Sequence, residues 1–273
     1  GRRLWPTLTI CRGNRQGTKK AMSSREATPS LGSPAVEPLN PPRFDIRSQA
    51  GEFLAHLDEH GFAVVAGVVA EPEEVERAKE LMWQFLASHG QVERNDVRTW
   101  AHENGWVGSS DTGIIGGAGV GQAPFMWYLR LLPRVREAFA AIWGVGPDEL
   151  LVSFDGANVF RPWRYAQCWR TRGGWYHVDQ NAFKPGKAGR CCVQGLVTLT
   201  RADASTGGLV VVPGSHRHFV PLCERNARQP SSEHAAEALA DYVSVAAGDA
   251  ALAGGGRLVC AEAGDPVLWG SRA

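Results

Sequence analysis

The sequence has no run of about eighteen consecutive apolar residues, so no membrane-spanning helix is expected. An excess of charge is missing too. The 29 Lys and Arg face 28 Asp and Glu, for a formal net charge of +1, which gives no global drive toward nucleic acid or a membrane surface. Cysteine is sparse. Cys11, Cys168, Cys191, Cys192, Cys223 and Cys260 show neither C-x-x-C spacing nor the density of a disulfide scaffold. They read as reduced thiols of an intracellular protein, with the cytoplasm the expected compartment and mitochondrion or peroxisome left open. No repeat recurs at a solenoid period. The glycine-rich run at 113–122 places Gln122 where a G-x-G-x-x-G motif needs its third glycine, and it has no Lys-Ser/Thr of a P-loop. It reads as a flexible flap.

What is present describes an ordinary globular chain, 44% hydrophobic and 21% charged. The ten tryptophans lie mostly between 83 and 175, as core and lid packing or as the walls of an aromatic pocket. Residues 1–43 are rich in Arg, Lys, Ser, Gly and Pro, and the first acid is Glu26. They are expected to be a disordered leader or a non-native extension outside the fold, with Met22 an alternative start.

From 44 to 149 the periodicity predicts a helical front. Phe53, Leu54 and Leu57 mark a short helix closed by Gly61, and 62–69 a buried strand. A second helix starts at Pro72 behind Glu71, shows an apolar stripe from Val75 to Leu86, and stops at Gly90. His89 is expected to partner its C-terminal end. A helix over 124–143 should be kinked at Pro133. From 150 to 273 the pattern changes to strands, at 150–160, 192–200, 209–212, 242–245, 257–260 and 266–269, with a short helix inserted at 231–240. In the 192–200 strand Val193, Val197 and Leu199 share one face and Gln194, Thr198 and Thr200 the other. Helices followed by many short strands predict an α+β chain whose core is a jelly roll.

The chemistry concentrates at Trp175–Asn181, where His177 and Asp179 form an H-x-D pair. Residues two apart on a strand point the same way, so an imidazole and a carboxylate face one point. That is two-thirds of the 2-His-1-carboxylate triad that holds non-haem Fe(II).

The runs WYHVDQN at 175–181, CVQGLVTLT at 192–200 and GGLVVVPGSHRHF at 207–219 resemble the phytanoyl-CoA dioxygenase family of Fe(II)/2-oxoglutarate oxygenases. GFAVVAGVV at 61–69 and AGDPVLWGSR at 263–272 match that family's opening and late strand. The resemblance implies a double-stranded β-helix, cupin-like, with N-terminal flanking helices. It also implies Fe(II) held by His177 and Asp179, 2-oxoglutarate as co-substrate, and ascorbate as a further candidate. Small-molecule hydroxylation with O2 would release succinate and CO2. The family's third ligand is a His a few residues beyond W-x-S-R, and its keto-acid Arg lies about ten residues further on. Here the sequence ends Trp269-Gly-Ser-Arg-Ala273 and has neither. A C-terminally truncated, impaired enzyme is therefore expected for 44–273. The alternatives are an inactive jelly-roll binding module, or a metal enzyme that does not use 2-oxoglutarate.

Asn158 and Gln194 are the cofactor-binding candidates, and a backbone-satisfied strand amide is the alternative for each. Asp155 reads as a strand-turn residue or a substrate contact. His216, in Pro-Gly-Ser-His, reads as a turn residue before a ligand, while His218 and His234 should be solvated. Arg161, Arg164, Arg170 and Arg172 form a basic loop that is either solvated or meets an anionic substrate.

Overall fold

A computed structural model describes residues 3–11, 36–69, 71–173 and 175–273. In chain order the elements are strands β1 (Arg3–Cys11), β2 (Glu37–Leu39) and β3 (Arg43–Phe44), helix α1 (Ala50–His60), strand β4 (Phe62–Val65) and helix α2 (Pro72–Ala87). Strand β5 (Ile114–Ile115), helices α3 (Pro124–Leu131) and α4 (Pro133–Trp143), and strands β6 (Leu151–Ser153) and β7 (Ala157–Phe160) follow. The last part holds β8 (His177–Val178), β9 (Cys192–Val197), β10 (Val210–Val211), α5 (Phe219–Asn226), α6 (Glu233–Glu237), β11 (Val243–Ser244), β12 (Arg257–Val259) and β13 (Pro266–Gly270). The class is α+β.

The main sheet has eight strands in the order β3-β4-β13-β9-β1-β7-β5, with β6 also paired to β1. Its pairings are antiparallel except β3 with β4. A three-stranded sheet, β10-β12-β2, and the pair β11-β8 complete the architecture.

Strand alternation divides the core. Ala63, Val65, Val193, Val197 and Leu268 face the helices, joining Phe53, Leu57, Met82, Phe125 and Phe139 in one cluster. Their neighbours Phe62, Val64, Leu196, Val267 and Trp269 face the smaller sheet, against Val211, Val259 and Ala261. Both faces of β4, β9 and β13 are therefore buried, so these strands read as near-continuous apolar runs.

The helix signals act as their chemistry predicts. Glu71 and Glu74 form a capping box with Pro72 in the first turn of α2. His89 Nδ1 bonds the Phe85 carbonyl at 2.7 Å beyond the end of α2. Gly61 closes α1 in a left-handed conformation at φ 83°.

Some boundaries differ from the sequence reading. Pro133 separates two helices where a kink was expected, because a residue before proline is driven out of the α region, and Leu132 sits at ψ 128°. The 150–160 strand divides at 154–156. There Gly156 passes so close to β5 that a Cβ would lie 2.5 Å from the Ile115 carbonyl oxygen. Helix α5, directly after the Pro-Gly-Ser-His turn, was not anticipated. Of the segment 1–43 expected outside the fold, 3–11, 37–39 and Arg43 lie in strands, whereas 1–2 and 12–35 lie outside the described residues. A composition averaged over 43 residues conceals the short β-prone run LWPTLTIC within it.

Candidate functional site

His177 opens β8, paired in register with Ser244 of β11. Its ring is flanked by aromatics: Trp175 stacks on it with centroids 4.3 Å apart and planes 8° apart, and Tyr242 lies at 4.9 Å and 32°. Its Nδ1 bonds the Trp175 carbonyl oxygen at 3.2 Å. A carbonyl only accepts, so Nδ1 carries the hydrogen in that bond, and in the neutral ring Nε2 keeps its lone pair. Nε2 faces Asp179 Oδ1 at 3.6 Å.

The carboxylate is oriented just as firmly. Gln194 Nε2 donates to Asp179 Oδ2 at 2.7 Å and also reaches Ser271 Oγ at 3.3 Å. Gln194 and Ser271 are buried. Gln194 lies on the face of β9 opposite Val193 and Val197, beside Leu196 and toward the smaller sheet. With Oδ2 occupied, Oδ1 is left to His177. A neutral imidazole nitrogen and a carboxylate oxygen brought together are two lone-pair donors, an arrangement that a proton or a metal cation between them relieves.

No protein-family model matches the chain. Ava biosynthesis cluster protein O of Aspergillus versicolor is 28% identical over 202 residues, which is 72% of this chain and 60% of that protein. The chain thus spans less than two-thirds of the curated relative it matches. Among solved structures, the epimerase SnoN in complex with Fe3+, alpha-ketoglutarate and nogalamycin RO aligns over 83% of this chain and 75% of that chain. The identity there is 15% and the TM-score 0.40.

Asn158, the other amide candidate, stands away from this group. It pairs with position 5 of β1, while Gln194 pairs with position 9. It therefore shares the face of Gln194 but lies two strands over and four residues along, roughly 17 Å away in the sheet. Asp155 Oδ1 accepts the N–H of Gly156 at 2.7 Å, as a turn residue does. His218 and His234 are exposed.

His216 caps a helix. Its Nε2 bonds the Asp58 carbonyl at 3.0 Å, and Gly214 N–H bonds that of His60 at 2.8 Å, so the turn satisfies the last carbonyls of α1. Burial and the neighbouring Arg272, Arg217 and Arg190 charges hold its pKa below the ordinary histidine value, against the bond to Asp58.

The basic loop packs largely on itself. Arg161 is buried, donates to the Trp100 carbonyl at 2.9 Å and lies over Trp169 and Trp106, while Arg164 and Arg170 lie over Trp163. Several tryptophans are accordingly cation-stacking core. Tyr242 escaped the sequence reading because no motif marks it, and Ser271, though part of the W-x-S-R run, was given no role there. Only tertiary pairing of β13 with β9, and of β11 with β8, brings them to the pair.

Proposed function

We propose that the protein is a non-haem Fe(II)/2-oxoglutarate-dependent oxygenase on a double-stranded β-helix of the phytanoyl-CoA dioxygenase type, hydroxylating a small organic substrate with O2 and releasing succinate and CO2. The observation that carries the reading is the oriented pair, His177 Nε2 and Asp179 Oδ1 at 3.6 Å, each fixed from behind by its own partner. The similarity to a biosynthesis cluster protein supports a small-molecule substrate.

The donor set suits iron as far as it goes. Imidazole nitrogen and carboxylate oxygen are the ligand types of the facial triad. At 3.6 Å the two donor atoms are close enough that a small side-chain adjustment would let both reach one cation. Among the described residues no group of three His, Cys, Asp or Glu converges, so His177 and Asp179 are the two that would hold the metal. When bound, it would supply oxygen activation coupled to decarboxylation of the keto acid. The chain's own part is positional. The Trp175 carbonyl selects the imidazole tautomer, Gln194 occupies Asp179 Oδ2 and so would leave Oδ1 to the metal, and Trp175 and Tyr242 cover the imidazole faces.

Anaerobic titration with Fe(II) and 2-oxoglutarate, followed by the visible charge-transfer band of the chelate, tests this. With two ligands rather than three among the described residues, the band should be weak in the wild-type chain and vanish in His177→Ala and Asp179→Asn. An undiminished band in either variant sinks the ligand assignment. A folded wild-type chain with no band favours the inactive binding module.

A further inference from the structure

We propose that the chain binds a small oxyanion between Arg190 and Arg272, at a site separate from the His177–Asp179 pair. A cavity of ≈ 10 Å³ lies where the end of α1 meets β9 and β13, with Leu57, Gly61, Arg190, Val193, His216 and Arg272 among its lining. Leu57 and Val193 belong to the helix-facing cluster, so the cavity is on the far side of the sheet from Gln194.

Its polar lining is cationic and under-satisfied. Among the described residues Arg272 Nε is buried without a hydrogen-bond partner. His216 turns a lone pair, not a donor, toward the space, because its Nε2 carries the hydrogen bonded to Asp58, so the two guanidinium groups alone would hold an anion. Arg190 pairs with Asp58, whose side chain is 67% exposed. Among the described residues Arg272 makes no ion pair. Burial first, and the Arg190 charge second, hold its pKa below the ordinary arginine value. Two like charges thus share a half-buried space with one solvated counter-ion, and an arriving anion relieves both their repulsion and the empty donor.

The nearby end of α1 does not forbid an anion. Its Leu57, Asp58 and His60 carbonyls are bonded by Gly61 N–H, His216 Nε2 and Gly214 N–H. The cavity holds about one oxygen-sized group, and Arg190, with 29% side-chain exposure, leaves the way in from solvent. The chemistry selected is a carboxylate or phosphate that places one oxygen on Arg272 Nε–H and the rest against Arg190, as guanidinium forks do.

Calorimetric titration of the metal-free 273-residue chain with sodium phosphate, and separately with sodium acetate, at constant ionic strength tests the site without engaging the metal ligands. At least one probe should bind saturably. Arg272→Gln and Arg190→Gln should each weaken it by about tenfold or more, while Arg217→Gln, on the exposed side of the turn, should not. Binding of acetate alone identifies a carboxylate site, and of phosphate alone a phosphate site. If Arg272→Gln fails to fold, Arg272→Lys replaces it; keeping the charge but losing the fork, it should still bind several-fold more weakly. Absence of saturable binding to the wild-type chain, or wild-type affinity in the Arg272 variants, overturns the proposal.

Discussion

The side chain that best tests the site is Gln194. Its amide decides which Asp179 oxygen is presented. Gln194→Leu keeps the bulk and removes the donor, so metal affinity should fall on the order of 10–100-fold with the melting temperature little changed. A Co(II) titration read by its visible absorption checks this, and unchanged affinity would remove Gln194 from the site. The H-x-D pair was legible because a two-residue period needs only local geometry. The face occupied by Gln194 was legible for the same reason. Its partner was not, because Asp179 and Ser271 reach it from distant segments that no spacing rule connects.

Arg130 shows the opposite situation. It is buried with Nε and Nη2 unpartnered, holding only the Gly121 carbonyl and lying 5.3 Å from the Trp127 ring centroid. Burial lowers its pKa, against the more distant charge of Asp155. An apolar side chain of similar length avoids that desolvation. Arg130→Met is therefore expected to leave stability unchanged or raise it, measured by urea denaturation, whereas a loss above about 2 kcal/mol would show that the guanidinium contributes net stability.

At the scale of elements, α1 and α2 were readable from their ends: the acids and Pro72 of α2, Gly61 of α1. Gly61 is doubly constrained. A Cβ there would sit 2.5 Å from His216 Nδ1, in a backbone at φ 83°. Gly61→Ala should cost at least about 1–2 kcal/mol, visible as a lowered urea midpoint. A second junction is Asp265, fully buried. It takes Arg43 Nε at 2.7 Å and Nη2 at 2.9 Å, the Gly67 N–H at 2.9 Å and the Glu262 N–H at 3.0 Å. It ties β3, the turn after β4 and the start of β13 to one carboxylate. Asp265→Ala should cost about 2–3 kcal/mol or more; breaking a wholly buried pair costs more, but Arg43 keeps 42% exposure. The Gly-Asp signal at 264–265 announced a turn and nothing of this hub, because three of its four bonds come from Arg43 and Gly67, far away in the sequence.

For the molecule as a whole, pH acts through two histidines. Burial, with the nearby His60, lowers the pKa of His56, and burial leads the causes that lower that of His216. In each case the unfolded chain binds the proton more readily than the native one. Their contribution is complete above the ordinary histidine value of about 6.5 and is lost as pH falls below it. Urea midpoints should hold steady from about pH 8 to 7 and then decline toward pH 5. Replacing both residues with Gln should flatten that decline, and an unaltered slope would assign it to other groups.

The sheet order has a consequence for biosynthesis. Strand β13 stands between β4 and β9, with Val267 opposite both Val64 and Leu196. As the chain leaves the ribosome, β4 waits roughly 200 residues for this neighbour, ten seconds or more at typical elongation rates. Throughout that interval the Phe62–Val65 edge has unsatisfied amides and apolar side chains that any passing strand can pair with. Yield in a cell should accordingly depend on chaperones that shield this edge during translation.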